Sequence, residues 1–218
     1  MNSSIGRLTV LVLFLLSGFA ALIYQVAWQR MLVVFAGGDV YSITIVVAAF
    51  MTGLGLGGLA GGFLADKGSS ARNLTWFAAA ELSLAIFGYF SKLLFYDLLY
   101  YKLGGLADSR AFLALILTSV LIVPTFLMGM SLPLLTRAMI RDLADAAAVT
   151  GRLYGANTLG AACGAMLATW VFIPLWGLDG AIKWAAAFNF VSAVVAAPLL
   201  WLGRHGVVSA MPSASPVP

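Results

Sequence analysis

The chain has 218 residues, 62% hydrophobic and 9% charged, with a net charge of +4 and a mean hydropathy of +1.02. Those values exclude a soluble globular domain and describe a polytopic membrane protein. A single cysteine, Cys163, and a single histidine, His205, leave no disulfide framework and no thiolate or imidazole set for a metal, so neither metal nor cofactor is expected. The positive charge is spread over short connections, which excludes a basic patch for nucleic acid.

The apolar run that opens at Leu8 is longer than the core of a cleaved signal peptide and lacks a small-x-small site after it, so it reads as a retained first span, about 8–30. Its second half, Ser17 to Arg30, carries Ser17, Tyr24, Gln25, Gln29 and Arg30. Such polarity is costly in hydrocarbon unless it faces protein, water or headgroups. Gln25 and Gln29 share one helix face, and Tyr24 and Trp28 share another. The spacing therefore predicts a polar stripe beside an aromatic one.

Five further spans follow, at about 40–64, 74–96, 111–136, 153–175 and 180–203, each long enough for a ~30 Å core. Residues 204–218, rich in Ser, Ala and Pro, read as a disordered tail. The expected architecture is an all-α bundle of six transmembrane helices. With the N-terminus inside, the cytoplasmic cations are Arg7, Lys67, Arg72, Arg137, Arg141, Arg152 and Arg204, against Arg30, Lys92, Lys102, Arg110 and Lys183 outside. That bias predicts a multi-pass protein of the bacterial inner membrane with both termini cytoplasmic.

In the second span Gly53, Gly55 and Gly58 fit a dinucleotide fingerprint, but no strand precedes them. Gly57 and Gly61 read better as a small-xxx-small pair for close helix packing. Gly160 and Gly164 repeat the device in the fifth span. The correspondence suggests two copies of a three-helix unit, a known transporter arrangement. Pro124 and Pro133, in the fourth span, predict a kink or local unwinding.

Glu81 is the sharpest single residue. It is expected about eight residues into the third span, as either a proton or cation site or an interhelical hydrogen-bonding group. Lys92 lies three turns away, too far to pair with it. Gln25, Asn157 and Asn189 could line a cavity or act as interhelical glue. The spans hold no histidine, no paired carboxylates and no nucleophile–base pair, which argues against an intramembrane enzyme.

The loop Gly62-Phe-Leu-Ala-Asp-Lys-Gly68 resembles the cytoplasmic signature of the major facilitator superfamily, with Asp66 and Lys67 matching and the second basic cluster reduced to Arg72. Ser17 to Arg30, Val40 to Gly58, Gly151-Arg-Leu-Tyr-Gly-Ala-Asn-Thr-Leu-Gly-Ala and Ile173-Pro-Leu-Trp-Gly-Leu-Asp-Gly extend the likeness over nearly all of 8–203. Together they resemble the membrane part of bacterial fused major-facilitator/spermidine-synthase-like proteins. The resemblance implies half of a major facilitator fold. It also implies a transporter-like module for polyamine or another small cationic metabolite, needing a homodimer or other membrane partner. Glu81, Gln25, Tyr24, Trp28 and Asn157 would line its site, with Tyr24 or Trp28 offering a cation–π face. Members of that family often carry Glu where this chain has Gln25. The soluble aminopropyltransferase domain, with its Gly-rich loop and catalytic aspartates, is not expected in these residues, so neither is enzymatic activity. The alternative is a non-catalytic accessory subunit packed into a larger membrane complex.

Overall fold

The computed structural model describes residues 4–36, 40–95, 110–140 and 143–206. Six α-helices lie among them: α1 (Ser4–Ala36), α2 (Val40–Asp66), α3 (Ser70–Lys92), α4 (Arg110–Met139), α5 (Ala146–Leu167) and α6 (Ile173–Gly206). A 3-10 turn, Leu143–Asp145, leads into α5, and a π-helical turn, Ala168–Phe172, joins α5 to α6. All regular structure among the described residues is helical. Five stretches are long and apolar enough to cross a membrane: Ile5–Val33, Ile43–Asp66, Ser70–Phe95, Thr118–Met139 and Ala146–Leu199. This is an all-α, multi-pass membrane helix bundle.

Several boundaries move from their expected positions. α1 begins at Ser4 and runs to Ala36. α3 starts at Ser70 because Ser69 caps it, its side chain accepting from the Arg72 amide. α5 starts at Ala146, where three alanines in a row favour helix. α6 continues to Gly206, so the expected tail is helical at its start, and residues 207–218 lie outside the described set. α4 stays helical through Pro124 and Pro133, so the expected unwinding does not occur there. The irregular backbone lies elsewhere, in the π turn before Pro174 and at Gly177, whose φ of 67° and ψ of −177° only glycine adopts readily.

The direction of each helix follows from its contacts. Ser17, Tyr24 and Trp28 on α1 bond to Glu81, Leu84 and Ser91 on α3 in rising order, so the two helices are parallel. Gly160 and Gly164 on α5 meet the backbones of Leu15 and Phe19, so α5 is parallel to α1. On the other side, Glu81 meets Asn189, and Tyr89 shares a groove with Lys183. α6 is therefore antiparallel to α3, and the chain doubles back at Gly177.

The closest helix pairs are α2 with α4, α1 with α5 and α3 with α6; α1 also packs along α6, and α3 along α4. Glycine sets the first two distances. A Cβ on Gly57 or Gly61 would run into the backbone of Phe126 or Met130, and one on Gly129 into that of Leu54. A Cβ on Gly160, Gly164 or Gly18 would meet Leu15, Phe19 or Asn157 in the same way. In lipid, where apolar side chains gain little by leaving their solvent, such close backbone approach is a main source of helix association.

Between these seams the core is aromatic. Phe19 packs edge-on against Phe172 and Phe188, and Trp28 against Phe87 and Phe95. A second core of Val10, Leu13, Phe14, Phe77, Leu135 and Leu153 fills the opposite end.

Candidate functional site

Glu81 sits at the middle of α3, not near its end, because the helix begins at Ser70. It is wholly buried. Ser17 Oγ of α1 donates to its Oε1 at 2.6 Å, and Asn189 Nδ2 of α6 donates to its Oε2 at 3.0 Å. One carboxyl thus joins three helices at mid-depth. The remaining oxygen of Asn189, Oδ1, and Ser192 Oγ one turn further along α6 are buried and accept or donate no hydrogen bond. Asn189 is the interhelical bonding group that its residue type suggested. Its partner could not be read from the sequence, because the two residues are 108 apart.

Tyr24 and Trp28 extend the same stripe of α1. Tyr24 stacks on Trp28 at 4.5 Å between ring centroids, and its hydroxyl reaches Leu84 O at 3.3 Å. Trp28 Nε1 donates to Ser91 Oγ at 3.0 Å, and Ser91 donates on to Gly88 O at 2.8 Å. Gly88 is required here, since a Cβ would collide with the Tyr24 ring and hydroxyl. Each ring covers one face of the other, Phe87 and Phe95 pack against Trp28, and both residues are buried. A cation–π face is therefore not open on either residue.

Gln25 and Asn157 belong to a different seam. Asn157 lies over Gly18 where α5 crosses α1. Gln25 and Gln29 follow Gly18 along that same face of α1, two and three turns on. Gln25, Gln29 and Asn157 are all half-buried. The five candidate residues thus divide into two groups, on α1 faces about 100° apart. Tyr24 and Trp28 of α1 and Glu81 of α3 are sealed in the α1/α3 interface; Gln25 and Asn157 lie along the α1/α5 seam.

At the Asp66 end of α2, the Asp66 carboxylate stands 3.7 Å from Arg137 of α4, with both side chains largely exposed. Lys67 is exposed and forms no ion pair among the described residues. What ties the α2–α3 loop is Asn73, which is wholly buried and donates to Ala65 O at 3.0 Å. The sequence reading missed Asn73, which sits in the first turn of α3 and reaches back to the end of α2. Beside the ion pair, a cleft of about 540 Å³ runs between α2 and α4 over Gly58, Gly62 and Gly129. None of the five candidate residues lines it. Among the described residues no three His, Cys, Asp or Glu side chains converge as metal ligands.

Comparison with family models, with curated proteins and with solved structures found no match.

Proposed function

We propose that the chain is a transporter-like membrane module, built as an inverted repeat, that works with a second membrane unit on a small cationic metabolite. The polyamine class is the one its sequence resemblance implies. The observation that carries this reading is the register of the two glycine seams. Gly57 meets Phe126 as Gly160 meets Leu15; Gly61 meets Met130 as Gly164 meets Phe19; Gly129 meets Leu54 as Gly18 meets Asn157. The order of partners is the same in both seams. The pairing of helices also maps onto itself when α1, α2 and α3 are exchanged for α4, α5 and α6. Such internal symmetry supports a 3+3 repeat of the kind that secondary transporters use.

In this reading the six helices make six passes of one half-transporter in the bacterial inner membrane, with both termini cytoplasmic. Gln25, Gln29 and Asn157 give the α1/α5 seam a neutral polar character, and a second copy or another subunit completes the site there. Glu81 acts as a brace inside the half rather than as a substrate ligand. The test is uptake of radiolabelled spermidine into proteoliposomes holding the folded chain. Uptake that falls with Gln25→Ala or Asn157→Ala, and persists with Glu81→Gln, supports the assignment. Uptake equal to that of protein-free vesicles overturns it.

A second reading, an accessory subunit, is favoured by one specific observation: the only acidic residue at mid-depth among the described residues is sealed and hydrogen-bonded. A stable native complex with unrelated membrane proteins, combined with no uptake, would establish that reading instead.

A further inference from the structure

Where α1 begins and α4 ends, a cavity of about 210 Å³ opens at one end of the bundle. It draws on three separate segments. α1 supplies Arg7 and Leu11, the end of α4 supplies Met139, and the turn into α5 together with α5 itself supplies Asp145, Val149 and Arg152. Its two halves differ in chemistry. Leu11, Met139 and Val149 pack onto the second apolar core and form the floor. Arg7 and Arg152, both exposed, line the same cavity from two different helices, and neither lies within ion-pair distance of a carboxylate among the described residues.

Asp145 is the only acidic group on the wall, so the lining carries a surplus of one positive charge. Asp145 does not spend its carboxylate on capping α5. The site thus calls for a monoanion with an apolar continuation. A guanidinium presents a planar fork that matches a phosphate, and two of them from different helices can share one phosphodiester. The depth also fits, since Arg7 immediately precedes the apolar run of the first span. A lipid phosphate belongs at that level.

We propose that this cavity binds the headgroup of an anionic phospholipid, with Arg7 and Arg152 holding its phosphodiester and the apolar floor receiving the first part of its chain. The bound lipid ties the start of α1 to α5, the same two helices that meet further along at Gly18, Gly160 and Gly164. A free phosphate ion would satisfy the arginines but leave the floor uncovered.

The test is native mass spectrometry of the delipidated whole chain, titrated with phosphatidylglycerol or phosphatidylcholine, with thermal unfolding followed in parallel. Phosphatidylglycerol is expected to give a discrete one-lipid adduct and a higher Tm, and phosphatidylcholine neither. Arg7→Gln with Arg152→Gln is expected to weaken the adduct by roughly 25-fold, about fivefold for each arginine. Should the double variant not fold, each single variant is measured against the fivefold expectation. The charge-matched Lys67→Gln/Arg72→Gln variant is expected to bind as the parent does. Equal binding of both lipids, or an equal loss in the charge-matched control, would overturn the proposal. So would displacement of the adduct by inorganic phosphate alone, which would identify a free-anion site.

Discussion

Replacing Glu81 by alanine removes the acceptor of two buried hydrogen bonds, from Ser17 at 2.6 Å and Asn189 at 3.0 Å, and opens a cavity between three helices. A buried donor left without a partner costs about 1–3 kcal/mol in a protein interior. In membrane proteins the measured value of such a bond averages nearer 0.6 kcal/mol, with a maximum of about 1.7. Ser17 can recover part of its loss by turning toward its own helix, as Thr125 does toward Leu121 O at 2.7 Å. Asn189 is left with no side-chain hydrogen bond at all, because its Oδ1 already lacks a partner. The lost packing of the longer side chain adds about 1–2 kcal/mol, at the lower end of large-to-small costs because the shed group is polar. The expected total is about 2–4 kcal/mol for Glu81→Ala. Glu81→Gln keeps the shape, and both neighbours can reorient to suit an amide, so its expected cost is below about 1 kcal/mol. Equilibrium unfolding from mild detergent into a denaturing one, read by tryptophan fluorescence, measures both. A Glu81→Ala protein as stable as the parent would refute the brace. Equal damage from Glu81→Gln would show that the carboxylate charge, not the hydrogen-bonded shape, holds the helices.

The remaining predictions use the same unfolding assay. Gly57→Ala and Gly160→Ala should each destabilise by about 2 kcal/mol or more, since a buried backbone must shift to admit the new methyl, in the manner of overpacked cores. Gly55→Ala and Gly62→Ala, where nothing lies within 4 Å, should be neutral or stabilising by up to about 1 kcal/mol; damage equal to that of the first pair would remove the role given to the seams. Gly177→Ala should cost about 1–3 kcal/mol, because the new residue must hold a backbone conformation that only glycine adopts readily. Ser91→Ala should cost about 1–2 kcal/mol by leaving the Trp28 indole without its acceptor, and should shift tryptophan emission. No shift would mean that the indole finds another partner.

The class of the protein was legible because composition and run length alone decide whether a helix belongs in lipid. Gly57, Gly61, Gly160 and Gly164 were legible too, since close backbone contact leaves a local, periodic trace. What the glycines touch was not, because Gly18 and Asn157 approach across 139 residues of chain with no periodic signal between them. Glu81 stood out as a lone carboxylate, yet its depth was misjudged through a helix start set by Ser69. Its partners were hidden because a serine and an asparagine look the same whether they face a neighbour or a cavity. The unwinding that was one of the two outcomes expected at Pro124 and Pro133 is absent for a different reason. A proline removes one donor and crowds one carbonyl, and a helix packed on several sides can absorb both without unwinding.

The three-helix junction at Glu81 also bears on how the protein is made. The carboxyl enters the bilayer with α3, when only Ser17 of its two donors has been synthesised. Asn189 follows 108 residues later, roughly 5–20 s at ordinary rates of translation. For that interval the nascent bundle carries a half-satisfied carboxyl in hydrocarbon, and α1 is its only shelter. Assembly therefore cannot finish pass by pass. The first three helices wait as an incomplete intermediate, and α6, made later, supplies the bond that closes it.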